Sequence, residues 1–261
     1  MNRQPLPPSE YPEGQSYPTT AQEKPSMVRI PVPTVKPVVT YTVLGLTILV
    51  YMLQVGTQTL LGNDIPATLG LKANDLILKG ELWRLITPVL LHGSLMHILV
   101  NMYALNIFGP SLERHFGHLR FLILYLLSGF AGNVVSFVFS PAYSLGSSTA
   151  IFGLLGAEGV FLYQNRQLFG SNAQRALVNI ITIGLINLVI GLSPGIDNWG
   201  HVGGLLGGVS FCWLGGPLLK VEGIYPALKI SDSREPGDMW RAAMAVGLAF
   251  VLIAAAAIFL R

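Results

Sequence analysis

The chain has 261 residues, of which 11% are charged and 51% hydrophobic, and a formal net charge of +3 at pH 7. Soluble proteins carry about 25% charged residues, so a water-soluble fold of this size would lack the charges to cover its surface. Twenty-nine glycines without a period and one cysteine exclude collagen-like and disulfide-scaffold classes, and so small a positive charge argues against a nucleic-acid partner. With a mean hydropathy of +0.56, the composition predicts an all-α polytopic membrane protein. Cys212, alone in an apolar run, is expected to be simply packed.

Residues 1–37 hold 9 of the 17 prolines among Ser, Gln, Glu and Lys. Such a segment has little apolar surface to bury and is expected to be a disordered cytoplasmic tail. No charged-then-apolar stretch with a small-residue cleavage site opens the sequence, so a cleaved signal peptide is not expected. The first apolar run, about 38–55, is followed by six more at about 88–111, 121–140, 147–165, 176–192, 199–219 and 242–260. Each approaches the roughly 20 residues that cross a hydrocarbon core. Seven crossings put the termini on opposite sides. Lys and Arg divide 12 to 4 between the two sets of connections, with the N-terminus on the richer side, which predicts a cytoplasmic N-terminus.

The first external connection, about 56–87, is unusually apolar, and Trp83 is expected at headgroup level. The other two, 141–146 and 193–198, are tight turns.

Ionisable groups inside spans are costly and are read as functional by default. His97 and Asn101 are spaced i, i+4 on the second span, with His92 shortly before them. The fourth span opens on Gly146-Ser147-Ser148-Thr149 and the sixth on Gly200-His201-Val202-Gly203-Gly204. Spans two, four and six all run inward, so His97, Asn101, Ser148 and His201 fall at one shallow depth. A serine, a histidine and further donors at one depth are the parts of an acyl-transfer site. Ser148 would attack a carbonyl and His201 would take its proton. The Ser148 N–H, with His97 and Asn101, would receive the oxyanion. Small residues at every fourth position of the sixth span, and Gly153 and Ala157 on the fourth, allow the close approach that a direct Ser–His contact needs. Phe152, one turn after Ser148, is placed to stack on His201.

Taken singly, each feature has a plainer reading. A membrane serine often bonds its own backbone, and His97 and Asn101 can act as interhelical glue. Asp197, four residues before His201, is expected to be an N-cap rather than a third triad member. Glu158 lies about 15 Å below Ser148 along a helix, too far for direct chemistry, and is expected to bond a neighbouring helix or face a polar cavity. His115 and His118 are expected in solvent. With no H-E-x-x-H motif and no carboxylate partner for His92 and His97, no metal site is expected.

Four ordered motifs between about residues 68 and 215 resemble the rhomboid family of intramembrane serine proteases. Gly80-Glu81-Leu82-Trp83-Arg84 is similar to the family's Trp-Arg first loop. His92, His97 and Asn101 match its H-x-x-x-x-H-x-x-x-N span, Gly146-Ser147-Ser148 its G-x-S-G segment, and Gly200-His201-Val202-Gly203-Gly204 its G-H-x-x-G. The resemblance implies a catalytic dyad of Ser148 and His201, an oxyanion site at His97 and Asn101, and supporting roles for His92, Phe152, Gly146, Trp83 and Arg84. It also implies a six-helix core over 38–219, followed by a cytoplasmic linker over 220–241 and an added seventh transmembrane helix over 242–261. Substrates would be transmembrane proteins met in the lipid bilayer, with no cofactor, and the expected location is a bacterial plasma membrane. One residue departs from the pattern. Thr149 stands where the family usually has Gly, and its branched side chain is expected to restrict the backbone beside the nucleophile. Two rival classes are a catalytically silent protein that binds transmembrane helices, and a channel or transporter using Asn179, Asn187 and Glu158. Internal repeats would favour the transporter, and the sequence has none.

Overall fold

The computed structural model describes residues 30–261, so most of the predicted tail, residues 1–29, lies outside the described residues. The helices are α1 (Val38–Leu61), α2 (Ile65–Gly70), α3 (Asn74–Leu78), α4 (Leu95–Phe116), α5 (His118–Phe139), α6 (Ser148–Gln164), α7 (Arg166–Ile190), α8 (Asn198–Gly215) and α9 (Pro236–Phe259). A small antiparallel hairpin, β1 (Leu219–Glu222) and β2 (Lys229–Asp232), lies between α8 and α9. The chain is therefore an all-α membrane protein, with one short hairpin among the described residues.

Local chemistry sets the boundaries. α1 runs past its expected end to Leu61, where Gly62 adopts the left-handed conformation at φ 71° that terminates helices. The 88–94 stretch, expected to begin the second span, is instead a 3-10 turn and an extended segment. Pro88 and Gly93 interrupt it, and α4 starts only after Ser94, whose hydroxyl accepts the His97 N–H at 3.2 Å. His92 therefore precedes the helix rather than riding on it. α9 begins at Pro236 under a reciprocal cap in which Glu235 and Asp238 each bond the other's backbone.

Among the described residues, five helices, α1, α4, α5, α7 and α9, are long and apolar enough to cross a membrane. α6 and α8, at 17 and 18 residues, are shorter. These two occupy the centre: α6 packs on α8, and α5 packs on both. α4 with α1 flanks one side, α9 lies across α5 and α8, and α7 lies on α6. Glycine sets the spacing between α6 and α8. A Cβ at Gly204 or Gly208 would collide with the carbonyl oxygens of Thr149 and Gly153, so the two backbones meet with nothing between them.

The first connection is folded, not slack. α2, α3 and two 3-10 turns (Leu82–Leu85 and Thr87–Leu90) build it. Arg84 organises it from within: buried at 3% exposure, its guanidinium meets Glu81 at 2.7 Å and donates to the carbonyls of Leu71 and Thr68, both at 2.9 Å. Trp83, 51% exposed, donates its indole N–H to the Leu69 carbonyl at 3.0 Å.

Candidate active site

Ser148 is the first residue of α6 and His201 lies in the first turn of α8. The close approach of these helices brings the His201 Nε2 to 2.9 Å from the Ser148 Oγ. That is within the reach a general base needs to take a hydroxyl proton. The Phe152 ring stacks on the His201 ring at a centroid distance of 4.2 Å and an interplanar angle of 10°, fixing the imidazole plane. His201 is 7% exposed, and its Nδ1 has no hydrogen-bond partner among the described residues.

Asp197 supplies no third member. One of its carboxylate oxygens accepts the Gly200 N–H at 3.0 Å, capping α8, and the other accepts the Ser136 hydroxyl. The arrangement is a Ser–His pair with its histidine on a capped helix.

On the opposite side stands His97. Gly146 adopts φ +136°, a conformation that side chains rarely adopt, and a Cβ there would lie 2.8 Å from the His97 ring and 3.7 Å from the Ser148 Oγ. Gly146 thus lets the loop pass between His97 and the serine, and its N–H bonds the Pro88 carbonyl at 2.9 Å. Asn101, 6% exposed, donates its amide to the His97 carbonyl at 3.0 Å one turn back. Its second N–H remains for another acceptor.

Adjacent serines take different histidines. Ser147 lies 3.3 Å from the His92 Nε2, and the His92 and His97 rings meet edge to face at 5.0 Å. His92 therefore supports both the serine loop and His97. Trp83 and Arg84 are not at the dyad and brace the first connection. Thr149 points away from the site, into the seam between α5 and α8. Its Cβ lies 2.6 Å from where a Cβ on Gly132 would sit, and its Cγ2 lies 3.0 Å from the same point on Gly200. Absent side chains at those two positions accommodate the branch that the family pattern lacks. Glu158 accepts the Ser111 hydroxyl of α4 at 2.9 Å, far from the dyad. His118 is half exposed but bonds Glu113 at 2.6 Å.

Three residues were missed by the sequence reading. Gln54 on α1 clamps His92 from both sides, accepting its N–H at 2.9 Å and donating to its carbonyl at 3.3 Å. An amide in an otherwise apolar span was the available signal. Ser136 and Lys72, linked to Asp197, gave none, because their partners lie more than 60 residues away in sequence.

The rhomboid domain model matches residues 79–218. The chain is 43% identical over 174 residues to rhomboid protease GluP of Bacillus subtilis (strain 168), covering 66% of this chain and 34% of that protein. It is 44% identical over 133 residues to the mitochondrial RHOMBOID-like protein 6 of Arabidopsis thaliana, covering 51% and 42%. With RHOMBOID-like protein 5 of the same plant, identity is 40% over 154 residues, covering 57% and 50%. The chain thus spans a third to a half of the length of these curated relatives. A domain match over more than half of the sequence, enclosing all four motifs from the Trp-Arg loop to the helix of His201, makes this chain a member of the rhomboid family.

Proposed function

We propose that the chain is an intramembrane serine endopeptidase that hydrolyses peptide bonds in or near transmembrane segments of other membrane proteins. The observation that carries this reading is the 2.9 Å approach of the His201 Nε2 to the Ser148 Oγ. The Ser148 Oγ attacks the scissile carbonyl carbon while His201 takes the hydroxyl proton. The tetrahedral oxyanion forms toward the Ser148 N–H, His97 and the free N–H of Asn101, where preorganised donors stabilise developing charge. His201 then returns its proton to the leaving amine, and an acyl ester remains on Ser148. Water, deprotonated by the same imidazole, hydrolyses that ester. Phe152 holds the His201 ring throughout, and His92 supports His97 from behind. The name of the Bacillus relative calls it a protease, in keeping with this reading.

The same reading gives seven crossings, with the connections richest in Lys and Arg on the cytoplasmic side and the dyad near the external surface. α6, shorter than the other long helices, packs mostly among neighbouring helices rather than against lipid. The boundaries of the catalytic unit are taken as 38–219. The test is cleavage of a generic transmembrane substrate by the purified protein in detergent, with Ser148→Ala alongside. Cleavage by the wild type alone supports the proposal. Equal cleavage by both, or binding of the substrate without cleavage by either, refutes it and favours a silent helix-binding protein.

A further inference from the structure

Lys72 lies in the first connection, outside the spanning helices, yet its side chain is 0% exposed. Burying an ammonium costs several kcal/mol unless it is well partnered, so the partners are informative. Its Nζ donates to the Ala142 and Ser140 carbonyls at 2.8 and 2.9 Å, and to the Ser136 hydroxyl at 3.1 Å. Its own backbone pairs with Ser144 in an isolated antiparallel bridge, N–H to carbonyl at 2.8 Å and in return at 3.2 Å. Ser144 lies four residues before Ser148. Through its backbone and its ammonium, Lys72 therefore grips the loop that delivers the nucleophile.

A second connection leaves the same ammonium. Ser136 accepts from Lys72 and donates its own proton to the Asp197 carboxylate, which caps α8 at Gly200. His201 follows directly. One buried cation thus joins the loop ending in Ser148 to the helix start carrying His201, two segments about 50 residues apart in sequence.

We infer that Lys72, acting through Ser136 and Asp197, is a positioning residue for the Ser148–His201 dyad, holding the nucleophile loop and the base helix in register from outside the site. This rests on the proposed protease reading. The charged groups that bear on the ammonium are Asp197 at the start of α8 and Arg261 beyond α9, while α3 contributes the neutral Asn74, which shares the Ser140 carbonyl. Burial lowers the Lys72 pKa to about 8, with Arg261 pushing the same way and Asp197 opposing. The link therefore loses its charge in mildly alkaline solution. Because the folded pKa lies below the unfolded 10.5, the unfolded chain holds this proton more tightly. Raising the pH from 8 to 10.5 thus favours the folded state at this group. Activity should fall above pH 8 without a loss of stability arising from Lys72.

The experiment measures kcat, KM, their pH profiles and thermal stability for full-length wild type, Lys72→Met, Ser136→Ala and Asp197→Asn, with labelling by a fluorophosphonate probe as a separate readout. Wild type should be labelled, and its kcat should decline above about pH 8. Lys72→Met should lose ~10²-fold in kcat, the scale of a small misplacement of reacting groups, with KM unchanged and no alkaline decline. Ser136→Ala and Asp197→Asn, which keep the packing, should lose kcat in the same direction even if Lys72→Met fails to fold. A wild type that neither cleaves nor labels would refute the protease reading itself. A labelled wild type beside variants with its kcat and its alkaline decline would overturn the inference alone. So would a fall in kcat that tracks lost thermal stability with the alkaline decline intact.

Discussion

α6 and α7 are consecutive helices that behave in opposite ways. α6 buries 11 of its 17 residues, whereas α7 buries Ala173 alone among 25. Hydropathy does not make the difference, since α7 is apolar enough to span a membrane and still presents almost all of its surface outward. Small residues do. Gly153, Gly156 and Ala157 let α6 meet α5 and α8 closely, while Val178, Ile181, Leu185 and Ile186 of α7 stand exposed where lipid would lie. Asn187 of α7 donates its amide back to the Ile183 carbonyl of its own helix at 2.8 Å. In a bilayer the driving force for burial is close packing and polar pairing rather than apolarity, and the proposed nucleophile and base lie on helices that pack closely.

The largest effect expected is at the dyad. Ser148→Ala and His201→Ala should each abolish turnover of a detergent-solubilised substrate. The double variant should be no worse than either, because residues that act as a unit are non-additive; an additive loss would show that they work independently. Next, Asn101→Ala should retain measurable activity, reduced on the order of 10²–10³-fold if it donates to the oxyanion. Wild-type turnover would mean that its bond to His97 is its whole role. At the helix contact, Gly204→Ala should destabilise by about 1–3 kcal/mol, as overpacking does, and lower the thermal unfolding midpoint. Gly45→Ala on α1, where nothing lies within 4 Å, should leave that midpoint unchanged or raise it, by no more than the roughly 1 kcal/mol that Ala gains over Gly in a helix. Equal shifts at the two glycines would remove the distinction between packed and lipid-facing helices. Smallest of all, Ser147→Ala gives up one 3.3 Å contact to His92 and should stay active.

Polar residues at one end of three apolar runs, with the glycines that followed, were enough to read Ser148 and His201 as partners. Their spacing is local and periodic, and the proposed parity of the crossings puts them at one depth. Asp197 was legible as a cap for the same reason, since a helix start is a local event. The first connection was not legible. Its fold depends on Arg84 reaching Thr68 and Leu71, and on Lys72 reaching Ser136, contacts that periodicity does not encode. Thr149 read as an obstruction in sequence because the space it needs is created by Gly132 on another helix. The start of α4 was misplaced because Pro88 and Gly93 are apolar enough to pass as span while breaking the helix.

The central claim is that Ser148, and not its neighbour, is the nucleophile activated by His201. The most direct measurement is to label the protein in detergent with a fluorophosphonate and locate the adduct by peptide mass spectrometry. A single adduct on Ser148, absent from His201→Ala and retained in Ser147→Ala, is the predicted result. An adduct on Ser147, or labelling of Ser148 that is indifferent to His201, would contradict it.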